Sequence, residues 1–324
     1  MPTPSFILGF GAILSTLSSP VFAATYLAQD TYTGANWLEG FKFETKDTNH
    51  GFVNYADETT AKNAMLYRNV GTDIYFGVDY TTPLTTGATG RKSVRSEGKK
   101  NYNQGLFVLD IKHMPSAQCG TWPAFWSLGQ EPWTVNGEVM SPPRHSTSLL
   151  TPYPQIDIIE GVNRNTVNEM VLHTATTCSV SGRDQTAPQK NTDCAYDTGG
   201  SGGYDVDDTR PLSYGDAFNA NAGGYYVMEW TDAAIKIWFF PRGTQPASLL
   251  GATPDTATLE HRLRTSRGTV MSRKAFWVRG SSSTQTVSSI NLFIYPTLKS
   301  APDMCTGRML TTAVCGDWAG NVYA

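Results

Sequence analysis

A chain of 324 residues, 40% hydrophobic and 16% charged, is long enough for one large all-β domain or two smaller ones. Its formal net charge of −3 gives no reason to expect a nucleic-acid or anionic-membrane partner. Eight Trp, fifteen Tyr and thirty Gly favour short strands, tight turns and a surface that stacks on flat ligands.

From the amino end, residues 1–23 read as a secretory signal peptide cut before Ala24. They are apolar from Phe6 to Leu17 and end in Val21-Phe22-Ala23, with small residues at the positions that precede a cut. No Lys or Arg stands in front of the apolar run. A buried helix or membrane anchor is the competing reading, but the run is too short and too broken by Gly and Pro to span a bilayer. A secreted protein, extracellular or in the cell wall, is therefore expected.

Strand-forming runs follow in order: "DIYFGVDYTT" (73–82), "GLFVLDIKHM" (105–114), "PAFWSLG" (123–129), "IDIIEG" (156–161), "EMVLHT" (169–174), "GYYVMEWT" (224–231) and "IKIWFFPR" (235–242). Polar, turn-rich segments separate them, and none carries a 3.6-residue apolar stripe. Strands without intervening helices predict a sandwich or barrel rather than βαβ units. No repeat or linker divides the chain, so 24–324 is read as one domain. The glycine-rich "DTGGSGGYDVDD" (197–208) reads as a surface loop. Five cysteines in an oxidising compartment leave one thiol over; Cys178 and Cys194, enclosing a polar loop, are the preferred disulfide. No N-glycosylation sequon occurs.

Two stretches disagree with their surroundings. Residues 139–155, "VMSPPRHSTSLLTPYPQ", are rich in Pro and Ser and interrupt the series of strands. Residues 258–308 include the basic "HRLRTSRGTVMSRK", unlike the rest of the chain.

Chemistry concentrates in "PQIDIIEG" (154–161). Ionised carboxylates in an apolar strand are unfavourable unless they have partners or a reaction to serve. Two carboxyl groups flanking a bond are what glycoside hydrolysis requires, and one strand supplies both if they share a face. Asp157 and Glu160 are three apart, which a regular strand sends to opposite faces. One β-bulge, naturally placed at Ile158-Ile159, brings them to the same side.

These blocks resemble the fungal secreted members of glycoside hydrolase family 16, the laminarinase and endo-1,3(4)-β-glucanase group. The resemblance is carried by "CGTWPAFWSLG" (119–129), "IDIIEGVN" (156–163), "LHT" (172–174), "MEWT" (228–231), "IKIWFFPRG" (235–243) and "CGDWAGNVYA" (315–324), with "DTYTGANWLEGFKFET" (30–45) and "HGFVNYAD" (50–57). It implies an all-β, jelly-roll β-sandwich (concanavalin A-like) with a concave carbohydrate cleft. It also implies a monomer that takes a β-glucan without a cofactor, with room for a structural calcium ion.

The group's signature is Glu-Ile-Asp-Ile-Ile-Glu. By that resemblance Glu160 is the acid/base, Asp157 assists it, and a glutamate nucleophile precedes Ile156. Gln155 stands there, and an amide is no anionic nucleophile. Upstream, "PWTVNGE" (132–138) resembles the residues that run directly into this signature, and removing 139–155 joins Glu138 to Ile156 as "NGEIDIIEG". The block is 17 residues, hence 51 nucleotides; its Val139 codon begins with GT and its Gln155 codon can be CAG. Leu150-Thr151 can encode a branch-point CTGAC. Residues 139–155 are accordingly read as a translated intron and Glu138 as the nucleophile. A genuine loop that makes the chain a pseudoenzyme is the alternative.

The same resemblance points to Trp126, Trp133 and Trp318 as cleft-lining residues, His173 beside the nucleophile, and Arg95 as a sugar contact. A satisfied strand histidine and a surface arginine are the plain alternatives for the last two. Trp230 and Trp238 divide evenly between cleft and core, and Trp37 is read as structural. The pattern of the group is not found in 258–308, and the chain is expected to stop short of a closing strand. No zinc-binding spacing is present, so no metal is assigned to the site.

Overall fold

The computed structural model describes residues 25–46, 53–85, 88–102, 105–118, 120–127, 155–173, 186–191, 203–231, 235–251 and 253–259, and the backbone alone at 128–129, 287–296 and 321–323. It is a sandwich of two antiparallel sheets. The seven-stranded sheet runs β1 (Phe41–Phe43), β6 (Arg95–Gly98), β14 (Val287–Pro296), β8 (Thr121–Gly129), β9 (Gln155–Glu160), β10 (Asn168–His173), β11 (Tyr204–Asp208). Facing it, the six-stranded sheet runs β13 (Ile235–Pro241), β12 (Gly224–Trp230), β7 (Gly105–Ile111), β15 (Asn321–Tyr323), β4 (Asp73–Phe76), β3 (Tyr67–Val70). A small parallel pair, β2 (Val53–Tyr55) with β5 (Arg91–Ser93), forms a third sheet of its own.

Alternation explains which side chains meet between the sheets. Phe125, Ile156, Met170, Leu172 and Val206 enter the main core from the seven-stranded sheet; Ile74, Phe76, Tyr226, Met228 and Phe239 enter from the other. Trp37 closes one end, stacked on Phe41 at 3.7 Å between ring centroids, with its indole N–H donating to Ser96 Oγ at 3.2 Å.

Strands β12 and β13 are buried along almost their whole length because their outer face is covered too. Tyr225, Val227, Trp238 and Phe240 form a second core with Leu249 and Leu259, which come from the segment that folds back after β13. Trp238 is thus a core residue, and Trp230 is partly buried against the main core.

Strand β14 arises from the atypical stretch 258–308, yet it lies in the middle of the seven-stranded sheet between β6 and β8. The three residues of β15 pair with β4 and β7. Among the described residues no helix is long and apolar enough to cross a membrane. Residues 1–23 and all five cysteines lie outside the described residues.

Candidate active site

Strands β8, β9 and β10 are consecutive neighbours, and the face they turn away from the core carries the candidate residues Asp157, Glu160 and His173. In β8 the pairing steps from Phe125↔Ile159 to Trp126↔Asp157, passing over Ile158. On the other side, Glu169 pairs with Glu160 and Val171 with Asp157. The bulge therefore falls at Ile158-Ile159, opposite Met170. Both isoleucines turn into the main core, 2% and 4% exposed. Two consecutive inward residues restore the parity, so Gln155, Asp157 and Glu160 share the outer face.

Asp157 is buried, 1% exposed. Its two carboxylate oxygens accept from Gln155 Nε2 at 2.8 and 2.9 Å, and His173 Nε2 lies 3.3 Å from Oδ2. Gln155 and His173 are direct cross-strand partners. Position 155 thus holds a side chain against Asp157, on the face where the nucleophile of the signature is expected.

Glu160 accepts from the Trp122 indole N–H at 2.7 Å. Burial pushes its carboxyl well above the usual carboxylate range, and the negative charges of Asp157 and Glu169 push it further, while the Trp122 hydrogen bond opposes the rise. A carboxyl whose proton is held more tightly than usual is what a general acid needs.

Below the strand end, Tyr214 OH donates to Gly161 O at 3.2 Å. Any side chain at position 161 would collide with the Tyr214 ring. Burial and the nearby Glu160 charge hold the Tyr214 hydroxyl protonated far above its ordinary range. Beside Glu160, Lys190 binds Glu169 at 2.8 Å and Asp207 at 2.9 Å, which balances the acidity of this face.

Trp126 sits on the same outer face as Asp157, its cross-strand partner, but is only 6% exposed because Val53 and Tyr55 of β2 cover it. Arg95 is also buried, its guanidinium carbon 5.8 Å from the Trp126 ring centroid. The structure therefore brings Asp157, Glu160, His173, Trp126 and Arg95 to one sheet. Glu138, Trp133 and Trp318 lie outside the described residues. Sequence reasoning missed Trp122 as the partner of Glu160, although its even spacing from Trp126 places both on one face. It also missed Asn168, Tyr214, Glu169 and Lys190. Among the described residues no three His, Cys, Asp or Glu side chains converge to hold a metal ion.

A two-sheet sandwich with paired carboxylates on a bulged strand is the architecture of a glycoside hydrolase. The chain belongs to glycoside hydrolase family 16: the family model described as XgeA-like, catalytic GH16 domain matches residues 41–140 and 151–276, and its break at 141–150 falls inside 139–155. A probable endo-1,3(4)-β-glucanase of Aspergillus niger is 38% identical over 100% of this chain and 38% of its own length. The endo-1,3(4)-β-glucanase xgeA of Emericella nidulans is 36% identical over 93% of this chain and 41% of its own length. The chain thus spans about two fifths of the length of these curated relatives.

Among solved structures, laminarinase 16A from Phanerochaete chrysosporium superposes with a TM-score of 0.75 at 30% identity, covering 93% of this chain and 98% of that one. It was solved with two β-glucans, 6-O-glucosyl-laminaritriose, in its donor and acceptor sites. An elongating family 16 β-1,3-glucosyltransferase superposes with a TM-score of 0.68 at 31% identity, covering 90% of this chain and 92% of that one. The jelly-roll fold expected from the sequence is the fold observed.

Proposed function

We propose that the gene encodes a secreted, monomeric endo-β-glucanase that cleaves β-1,3 or mixed β-1,3/1,4 glucans with retention of configuration, and that its working form lacks residues 139–155. One observation carries this reading: positions 155, 157 and 160 share one face, where burial pushes the Glu160 carboxyl above the usual carboxylate range. The β-glucanases and the laminarinase to which the chain is similar support the choice of substrate.

Joining Glu138 to Ile156 puts a carboxylate in the register position that Gln155 fills, between Leu128 of β8 and His173 of β10. In the first step Glu138 attacks the anomeric carbon as the glycosidic C–O bond breaks, and Glu160 gives its proton to the departing oxygen. In the second, Glu160 takes a proton from water, the hydroxide attacks the same carbon, and Glu138 leaves as carboxylate. Asp157 lies between them in the strand; where it now accepts from Gln155 Nε2, it can hydrogen-bond the Glu138 carboxylate only by donating a proton of its own. Retention needs the two reacting carboxyl groups about 5–5.5 Å apart, so the long side chains at 155 and 160 must lean toward each other across Asp157.

The chain as written, with an amide at 155, fits a glucan-binding protein that does not cleave. Transfer of the glycosyl group to a second sugar, favoured by the likeness to the glucosyltransferase, uses the same residues and differs only in what accepts the sugar. The test is a protein lacking 139–155, given laminarin and a mixed-linkage glucan, with early products followed by NMR. New reducing ends that appear first as the β-anomer support the reading. First-formed α-anomer, or products longer than the substrate in place of reducing ends, would overturn hydrolysis with retention.

A further inference from the structure

A bulge that shares a face between two carboxylates also breaks the hydrogen-bond ladder, leaving backbone groups that must find other partners. The partner here is one side chain of β10. Asn168 is fully buried, 0% exposed. Its Nδ2 donates to Ile158 O at 2.9 Å, and its Oδ1 accepts from Glu160 N at 3.1 Å. A carboxamide is the group that presents donor and acceptor side by side, so one residue satisfies both backbone groups within the bulge.

Asn168 is itself held. Its own N–H donates to Ser213 Oγ at 3.1 Å, and that hydroxyl donates to Asp208 O at 2.9 Å. The next residue, Tyr214, grips Gly161 O. The turn at 213–214 therefore fixes β9 on both sides of Glu160, through Asn168 behind it and Gly161 after it. We infer that Asn168 is a positioning residue for the acid/base, clamping the Ile158–Glu160 bulge so that the Glu160 carboxyl is presented on the face of Asp157. It touches no substrate and acts only through the backbone of β9. The inference rests on the proposed function for its kinetic consequence, and on geometry alone for the clamp.

Two measurements separate those parts. In the chain as it stands, Asn168→Ala should speed amide exchange at Glu160 by roughly tenfold relative to Val227 in the opposite sheet, the equilibrium worth of one hydrogen bond. Unchanged relative exchange would overturn the clamp. In the chain lacking 139–155, the same variant should lower kcat on laminarin by about 10²-fold or more with KM within about threefold, because proton donation is misaligned while binding is kept.

A dinitrophenyl laminarioside needs no proton at its leaving oxygen, so the burst of dinitrophenol from its first step should lose less than about fivefold. Asn168→Asp is nearly isosteric and guards against misfolding of the alanine variant. It cannot donate to Ile158 O, and its charge beside Glu160 should move the alkaline limb of kcat to higher pH. Equal losses on both substrates with an unmoved limb would overturn the positioning role. If the protein lacking 139–155 does not cleave laminarin, the proposed function fails, and amide exchange alone decides the clamp.

Discussion

Glu160 sits where three influences converge on one carboxyl: burial, two neighbouring carboxylates, and one indole donor. Their signs yield opposite expectations for two substitutions. Glu169→Gln removes a like charge directly across the strand, so the Glu160 carboxyl falls and the alkaline limb of activity moves to lower pH. Trp122→Phe removes the donor that favours the ionised form, so the limb moves to higher pH. A pH–rate profile of each variant checks both directions. Stability follows the same linkage. A carboxyl raised from 4.5 in the folded state binds its proton more tightly there, so stability falls as pH rises above about 4.5 and levels off beyond the folded value. Glu160→Gln removes that penalty and should raise Tm at pH 8 but not at pH 4. Gly161→Ala drives a methyl into the Tyr214 ring and should cost about 1–3 kcal/mol, read by urea denaturation.

At the scale of elements, the bulge is the decisive feature, and it was legible. Three-residue spacing between Asp157 and Glu160, with two isoleucines between, leaves a strand only one way to place both acids outside and both isoleucines inside. Its consequence can be tested by changing the count. Deleting Ile158 leaves Asp157 and Glu160 two apart, which a regular strand keeps on one face. That variant should fold and keep Glu160 outward, while the Asn168 carboxamide loses its bulge partners at about 1–3 kcal/mol. Inserting one alanine after Ile159 instead leaves the two acids four apart, which an unbulged strand keeps on one face only by turning Ile159 outward and the alanine into the core. That variant should lose the packing of one core isoleucine and melt at a lower temperature, read by circular dichroism.

Asn168 was illegible because its role depends on which strand lies beside β9 and in which register, and neither can be read from one strand's own pattern. Trp238 was ambiguous for a related reason. Alternation showed it opposite Ile237 and Phe239, but not that the chain after β13 would cover that face with Leu249 and Leu259.

Across the whole molecule, the sandwich followed from strand runs without helical stripes, and the site from one six-residue motif. Strand order did not follow. β14 comes from a stretch without recognisable pattern and enters the sheet between two strands, β6 and β8, formed more than 150 residues earlier. Such pairing is set by long-range burial rather than local sequence. The same limit applies to 139–155: composition marks it as foreign, and only the register of β9 shows that Gln155 fills the place where Glu138 would stand if the block were removed.

That placement is the central claim, and a single substitution tests it. Gln155→Glu in the otherwise unchanged chain puts a carboxylate beside Asp157, opposite His173 and on the face of Glu160. Reducing ends released from laminarin should rise at least about a thousandfold over the parent, the scale on which a covalent nucleophile acts. A folded Gln155→Glu protein that binds laminarin and releases no more than the parent would contradict the assignment of this face as the catalytic one.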